Sequence, residues 1–115
     1  MKLVQTTRHT RDSFAVLHRS RAAQAATMTL GPGETSGESS ENEHAWAEQW
    51  LYVVSGTGTA RVGTRTLKLR AGTLLLIEKD EPHVIRSGPR SRLVTVNLYV
   101  PPAYRPDGEP LASGR

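Results

Sequence analysis

At 115 residues, with 37% hydrophobic and 23% charged residues and no cysteine, the chain suits one domain with one principal site and excludes disulfides, thiolate ligands and a cysteine nucleophile. Lys and Arg number 15 against 11 Asp and Glu, for a formal charge of +4. Arg8, Arg11, Arg19 and Arg21 are scattered and no helix-turn-helix or zinc-finger pattern is present. The excess therefore reads as a solvated basic face, with no nucleic-acid partner.

No apolar run is long enough to span a bilayer, so no membrane role is expected. The first residues, MKLVQTTRHTRDSF, lack the apolar segment of a secretory signal, which makes the cytoplasm the expected location.

In chain order, residues 14–18 and 22–30 read as strands, the second ending in a Gly31-Pro32-Gly33 turn. Residues 34–43, ETSGESSENE, are small, polar and acidic and can bury no face, so they form a loop that delivers the chain to His44. Strands follow at 50–54, 59–62, 65–70 and 73–77, separated by turns at Ser55-Gly56-Thr57-Gly58, Gly63-Thr64 and Ala71-Gly72. In the third of these, Leu67 and Leu69 alternate with polar residues as in a half-exposed strand. A charged loop over 78–82 leads to a strand at 83–86, and residues 92–100 make a last long strand that Pro101-Pro102 stops. The barrel core is expected over 14–102 and a flexible tail over 103–115, where little is apolar beyond Tyr104, the one residue there expected to be able to dock.

Some eight short strands with glycine or proline turns and no amphipathic helix give an all-β sandwich or barrel. On extended backbone Asn42 and His44 share a face, and Gln49 rejoins it across an irregular step near Trp46 or Ala47. The parity then runs through Leu51 and Val53 into the interior, leaving Trp50 and Tyr52 facing outward or toward a partner. Asn97 and Tyr99 lie on the last strand, where parity alone leaves their side open. His83 opens another strand after a proline, where a barrel presents side chains near its mouth. Imidazoles from two strands suit zinc, nickel, copper and iron, and an amide oxygen of Gln49 or Asn42 would supplement them. Glu78, Asp80 and Glu81 read as a charged hairpin loop and stay outside the site, and no serine triad or phosphate-cradling glycine loop is present.

The segment Asn42-x-His44-x4-Gln49-x6-Gly56 and, with 15 residues between Gly56 and Gly72, Gly72-x5-Glu78-x-Asp80-x2-His83-x3-Ser87 resemble the two motifs of the small single-domain cupins, G-x5-H-x-H-x3 or 4-E-x6-G and G-x5-P-x-G-x2-H-x3-N. The resemblance covers about residues 28–102 and keeps the spacing while several residue types change. It implies a double-stranded β-helix, or jelly-roll, whose pocket in the family commonly holds a divalent metal through three histidines and a glutamate. Two of those positions keep histidine, His44 and His83; Gln49 takes the glutamate position and Asn42 the first histidine position. The expected metal set is His44, Gln49 and His83, with Asn42 a further ligand position or an Asx-type loop residue.

Two functions follow as expectations. One is a metal-dependent small-molecule enzyme, of oxygenase, isomerase or lyase class, in which Fe, Mn, Ni, Zn or Cu is held by that set without an organic cofactor. The other is a metal-free small-molecule binding or sensing module built on the same polar residues. A homodimer through Trp50, Tyr52 or the N-terminal strand, by strand addition or sheet packing, completes the expectation.

Overall fold

The computed structural model describes residues 1–36 and 45–111, so Asn42 and His44 lie outside the described residues. One turn of 3-10 helix, Thr6–His9, precedes eight strands: β1 Phe14–Arg19, β2 Gln24–Leu30, β3 Glu48–Ser55, β4 Thr57–Val62, β5 Arg65–Arg70, β6 Leu74–Ile77, β7 His83–Ser87 and β8 Leu93–Val100. All eight expected strands are present, with ends shifted by a residue or two. β3 and β4 differ most, because Gly56 alone, at φ +87°, turns the chain between them.

The strands form two antiparallel sheets, one of five strands in the order β1-β2-β8-β3-β6 and one of three in the order β5-β4-β7. Alternate residues of each sheet face the other and meet in one core. Met28, Leu30, Leu51, Val53, Ile77 and Leu93 come from the larger sheet, and Ala60, Leu69 and Ile85 from the smaller. This is the two-layer jelly-roll that closes most of a β chain's hydrogen-bonding edges against itself.

A second cluster, Ala26, Ala47, Tyr99, Ala103 and Tyr104, adjoins Phe14 and Trp46. The rings of Phe14, Tyr99 and Tyr104 pack at centroid distances of 4.7 to 6.4 Å. Its presence alters the expectation of a free C-terminal tail. Ala103 and Tyr104 are buried, and the buried Gln24 amide binds them from both sides: Nε2 donates to the Tyr104 carbonyl at 2.8 Å, and Oε1 accepts the Ala103 and Tyr104 N–H groups at 3.2 and 3.0 Å. Residues 105–111 then double back, with Arg105 N donating to Glu109 O and Leu111 N to Ala103 O. Composition hid this, because a single glutamine about 80 residues away supplies the anchor.

Candidate functional site

β3 builds one wall of the site. Its alternation buries Gln49, Leu51 and Val53 and turns Trp50, Tyr52 and Val54 outward, as parity from Gln49 predicts. The step before it is a turn at Ala45 and Trp46; the face shared with Asn42 and His44 lies outside the described residues. Ladder register then identifies the neighbours: Gln49 pairs with Tyr99 of β8 and Ile77 of β6, Leu51 with Asn97, and Val53 with Thr95.

Thr95, Asn97 and Tyr99 therefore face inward, which resolves the side that sequence parity left open. All three are at most 2% exposed and hydrogen-bond in a chain. Thr95 Oγ1 donates to Asn97 Oδ1 at 3.0 Å, and Asn97 Nδ2 donates to Tyr99 Oη at 3.1 Å. With Gln49, 3% exposed, they make a buried polar row on an otherwise aliphatic wall. Nothing in β8 read alone marks that row, since LVTVNLYV is β-rich on both parities; the register with β3 and β2 reveals it.

His83 enters from the opposite sheet. It pairs with Val62 and shares the parity of the buried Ile85 and Ser87, so it faces the interior at the start of β7. Gln49 sits at the end of β3 that pairs with the last residue of β6, and β6 and β7 are joined there by residues 78–82, so both residues lie at the same end of the barrel. His83 Nδ1 lies 3.0 Å from the Glu81 carbonyl. A carbonyl accepts only, so Nδ1 carries a proton, and this bond fixes the orientation of the ring.

The charged loop behaves as the sequence suggests. Glu81 Oε1 accepts the Glu78 N–H at 2.8 Å, closing the turn, and Asp80 N donates to Ala45 O, tying the loop to the approach to β3. One further polar atom bears on the region: the Trp46 indole Nε1 is buried and has no hydrogen-bond partner among the described residues. Its ring packs against the cluster that contains Tyr99.

A divalent metal is what the resemblance implies, and the donors at the described positions fit it in part. His83 offers one imidazole, its ring held by the Glu81 carbonyl, and Gln49 one neutral amide, with no carboxylate in the set. Among the described residues no three His, Cys, Asp or Glu side chains converge on one point. The remaining expected ligands, His44 and Asn42, are outside the described residues.

The smaller sheet carries an open groove of about 790 Å³ with Lys68, Arg70 and Arg86, and no carboxylate, among its described lining residues. Lys68 and Arg86 flank Thr59 across the strands, and Thr57 pairs with Arg70, so these cations share the outward face.

The Cupin domain family model matches residues 26–96, well over half of the chain. No curated protein matches it in sequence. Among solved structures, a protein from Bacillus halodurans superposes with a TM-score of 0.76 at 22% identity, over 96% of this chain and 86% of that one. KdgF from Halomonas sp. gives 0.70 at 16%, over 82% and 80%. A predicted oxalate decarboxylase from Thermotoga maritima gives 0.62 at 21%, over 71% and 69%. The two sheets, the paired motif spacings and the family match agree: this chain belongs to the Cupin domain family.

Proposed function

We propose that the chain binds a small polar molecule inside the barrel. The observation that carries this reading is the buried row of Gln49, Thr95, Asn97 and Tyr99 on one wall, with His83 facing inward at the same end from the other. Amides, hydroxyls and an imidazole are costly to bury for packing alone and give directional recognition when a ligand completes them. The row contains no formal charge, so it suits a compact ligand carrying carbonyl and hydroxyl groups that both donate and accept.

A second reading adds a divalent ion held by His44, Gln49 and His83, and the ring orientation that the Glu81 carbonyl gives His83 favours it. Such an ion would supply Lewis acidity for a carbonyl or bound water, or a site for dioxygen. His83 would coordinate through Nε2, the Glu81 carbonyl would fix the ring, and Gln49 would contribute a neutral oxygen. Without a carboxylate the ion keeps its full charge, which favours an anionic ligand beside it.

Elemental analysis of the purified protein, followed by thermal-shift screening of small carbonyl and hydroxyl compounds at 1 mM with and without Fe, Mn, Ni, Zn and Cu, separates the readings. A compound with a dissociation constant of about 10 μM stabilises the fold by about 2.7 kcal/mol at that concentration. Gln49→Ala should abolish the shift. Near-stoichiometric metal lost in His83→Ala supports the second reading. If no compound shifts melting in either condition, the pocket proposal is wrong.

A further inference from the structure

Acidic and basic residues are not mixed evenly over this fold. Strands β4, β5 and β7 carry Arg61, Arg65, Lys68, Arg70 and Arg86 and no Asp or Glu. Arg61, Lys68, Arg70 and Arg86 lie on the outward face of the three-stranded sheet, and all are exposed. Charge that serves only solubility is dispersed, with both signs interspersed; here like charges are gathered.

The groove on this sheet collects three of them. Lys68 and Arg86 stand on either side of Thr59, about 10 Å apart at the backbone by strand spacing, and Arg70 stands beside Thr57, about 7 Å along β5 from Lys68. These separations are near the screening length of about 8 Å at physiological salt, so the three cations repel one another. Nothing among the described residues relieves them. The ion pair formed there is Arg105 with Asp107, beyond the last strand. Glu34, next to the Thr35 that bridges to Arg86, gives its carboxylate to the Gly31 N–H instead. Arg86 Nη1 donates to the Gly33 carbonyl at a long 3.4 Å, which leaves the charge itself unbalanced.

The surface between the cations offers further donors. Thr57 and Thr59 share their face, and Thr73 Oγ1 accepts the Arg70 N–H at 3.3 Å, so its own proton can go to a ligand.

We propose that this groove is a ligand site separate from the barrel pocket, and that its ligand carries a diphosphate, free or as an ester. Charge and size select that class. One phosphate monoester carries about −1.5 to −2 at pH 7, which leaves a cation over, whereas two linked phosphate groups balance all three. Guanidinium and ammonium heads on long stems, with hydroxyls between them, match the several oxygens of such a group. A cleft of one sign also concentrates anions around it. The volume, about 790 Å³, is that of a small-molecule site. No aromatic side chain is among the described lining residues, so single-stranded nucleic acid finds nothing there to stack on.

Isothermal titration calorimetry in EDTA, which keeps any barrel metal from holding the anion, tests this. Inorganic pyrophosphate should bind once per chain with a dissociation constant of about 100 μM or below, at least about 10-fold tighter than orthophosphate. Raising NaCl from about 50 to about 300 mM should weaken it about 10-fold. Lys68→Gln and Arg70→Gln should each weaken it about 5-fold or more, and Lys68→Arg should keep it. Arg19→Gln removes the same charge from β1 and should leave binding unchanged. Amide chemical-shift changes should fall on β4, β5 and β7. A nucleoside diphosphate that binds tighter than pyrophosphate identifies the ligand as an ester; equal or weaker binding identifies the diphosphate alone. Pyrophosphate binding no tighter than orthophosphate overturns the proposal, as does binding that survives Lys68→Gln and Arg70→Gln or falls equally in Arg19→Gln. So does a single-stranded thymidine oligonucleotide that binds tighter than pyrophosphate, since that is the behaviour of a nucleic-acid face.

Discussion

Removing Asn97 should expose how far the buried polar row acts as a unit. Asn97 is fully buried, accepts from Thr95 and donates to Tyr99. Asn97→Ala therefore breaks both side-chain bonds of the row and opens a small void. With about 1 to 2 kcal/mol for each bond lost and the void added, the loss should be about 3 kcal/mol. Tyr99→Phe removes one hydroxyl, keeps the ring against Phe14 and Tyr104, and leaves Asn97 Nδ2 without its acceptor, a cost of about 1.5 kcal/mol. In the double variant the Asn97–Tyr99 bond can be lost only once, so the combined loss should fall short of the sum by about 1 kcal/mol. Urea unfolding at one fixed protein concentration, followed by tryptophan fluorescence, measures all four corners of the cycle and holds any association constant. Each kcal/mol should also move the melting midpoint by about 3 to 6 °C. Additivity within 0.3 kcal/mol would refute the idea that the row is coupled.

Three other outcomes follow from the geometry. Gln24→Ala removes three hydrogen bonds to residues 103 and 104 and should cost about 3 kcal/mol, with amide exchange accelerated over 103–111 before the rest of the chain. Gly56→Ala combines φ +87° with a Cβ directed into the Arg92 carbonyl and should lose about 3 kcal/mol or more by urea unfolding, whereas Gly72→Ala, at φ +92° with open space around its Cβ, should lose only about 1 to 2 kcal/mol. Leu51→Ala, in the fully buried middle of β3, should cost about 2 to 5 kcal/mol by the same measurement.

Turn residues and alternation made much of the fold readable. Leu67 and Leu69 revealed their face because Lys68 and Arg70 are polar, and Gln49, Leu51 and Val53 share one parity while Trp50 and Tyr52 take the other. β6 was opaque for the opposite reason: LLLI is apolar on both sides, so nothing local showed that Leu74 and Leu76 point outward while Ile77 is buried. Asn97 and Tyr99 were ambiguous until the ladder with β3 fixed their side. The 3-10 turn at Thr6–His9 carries no periodic signal, since its contacts to Thr27 and the β8 end are tertiary. In the site, Gln49 and His83 face the interior as motif spacing implied, and the polar partners on β8 had to be found by pairing.

The place of β2 has a consequence for synthesis. Its inner edge pairs with β8 over all seven residues from Gln24 to Leu30, and Gln24 is completed only by residues 103 and 104. A ribosome releases β2 long before it makes those partners. Until then the strand holds one hairpin neighbour, an unpaired edge and aliphatic side chains with nothing to pack against. The barrel must therefore close late, once nearly the whole chain is available, and a nascent chain stalled before β8 would be the species that chaperones meet and that aggregates.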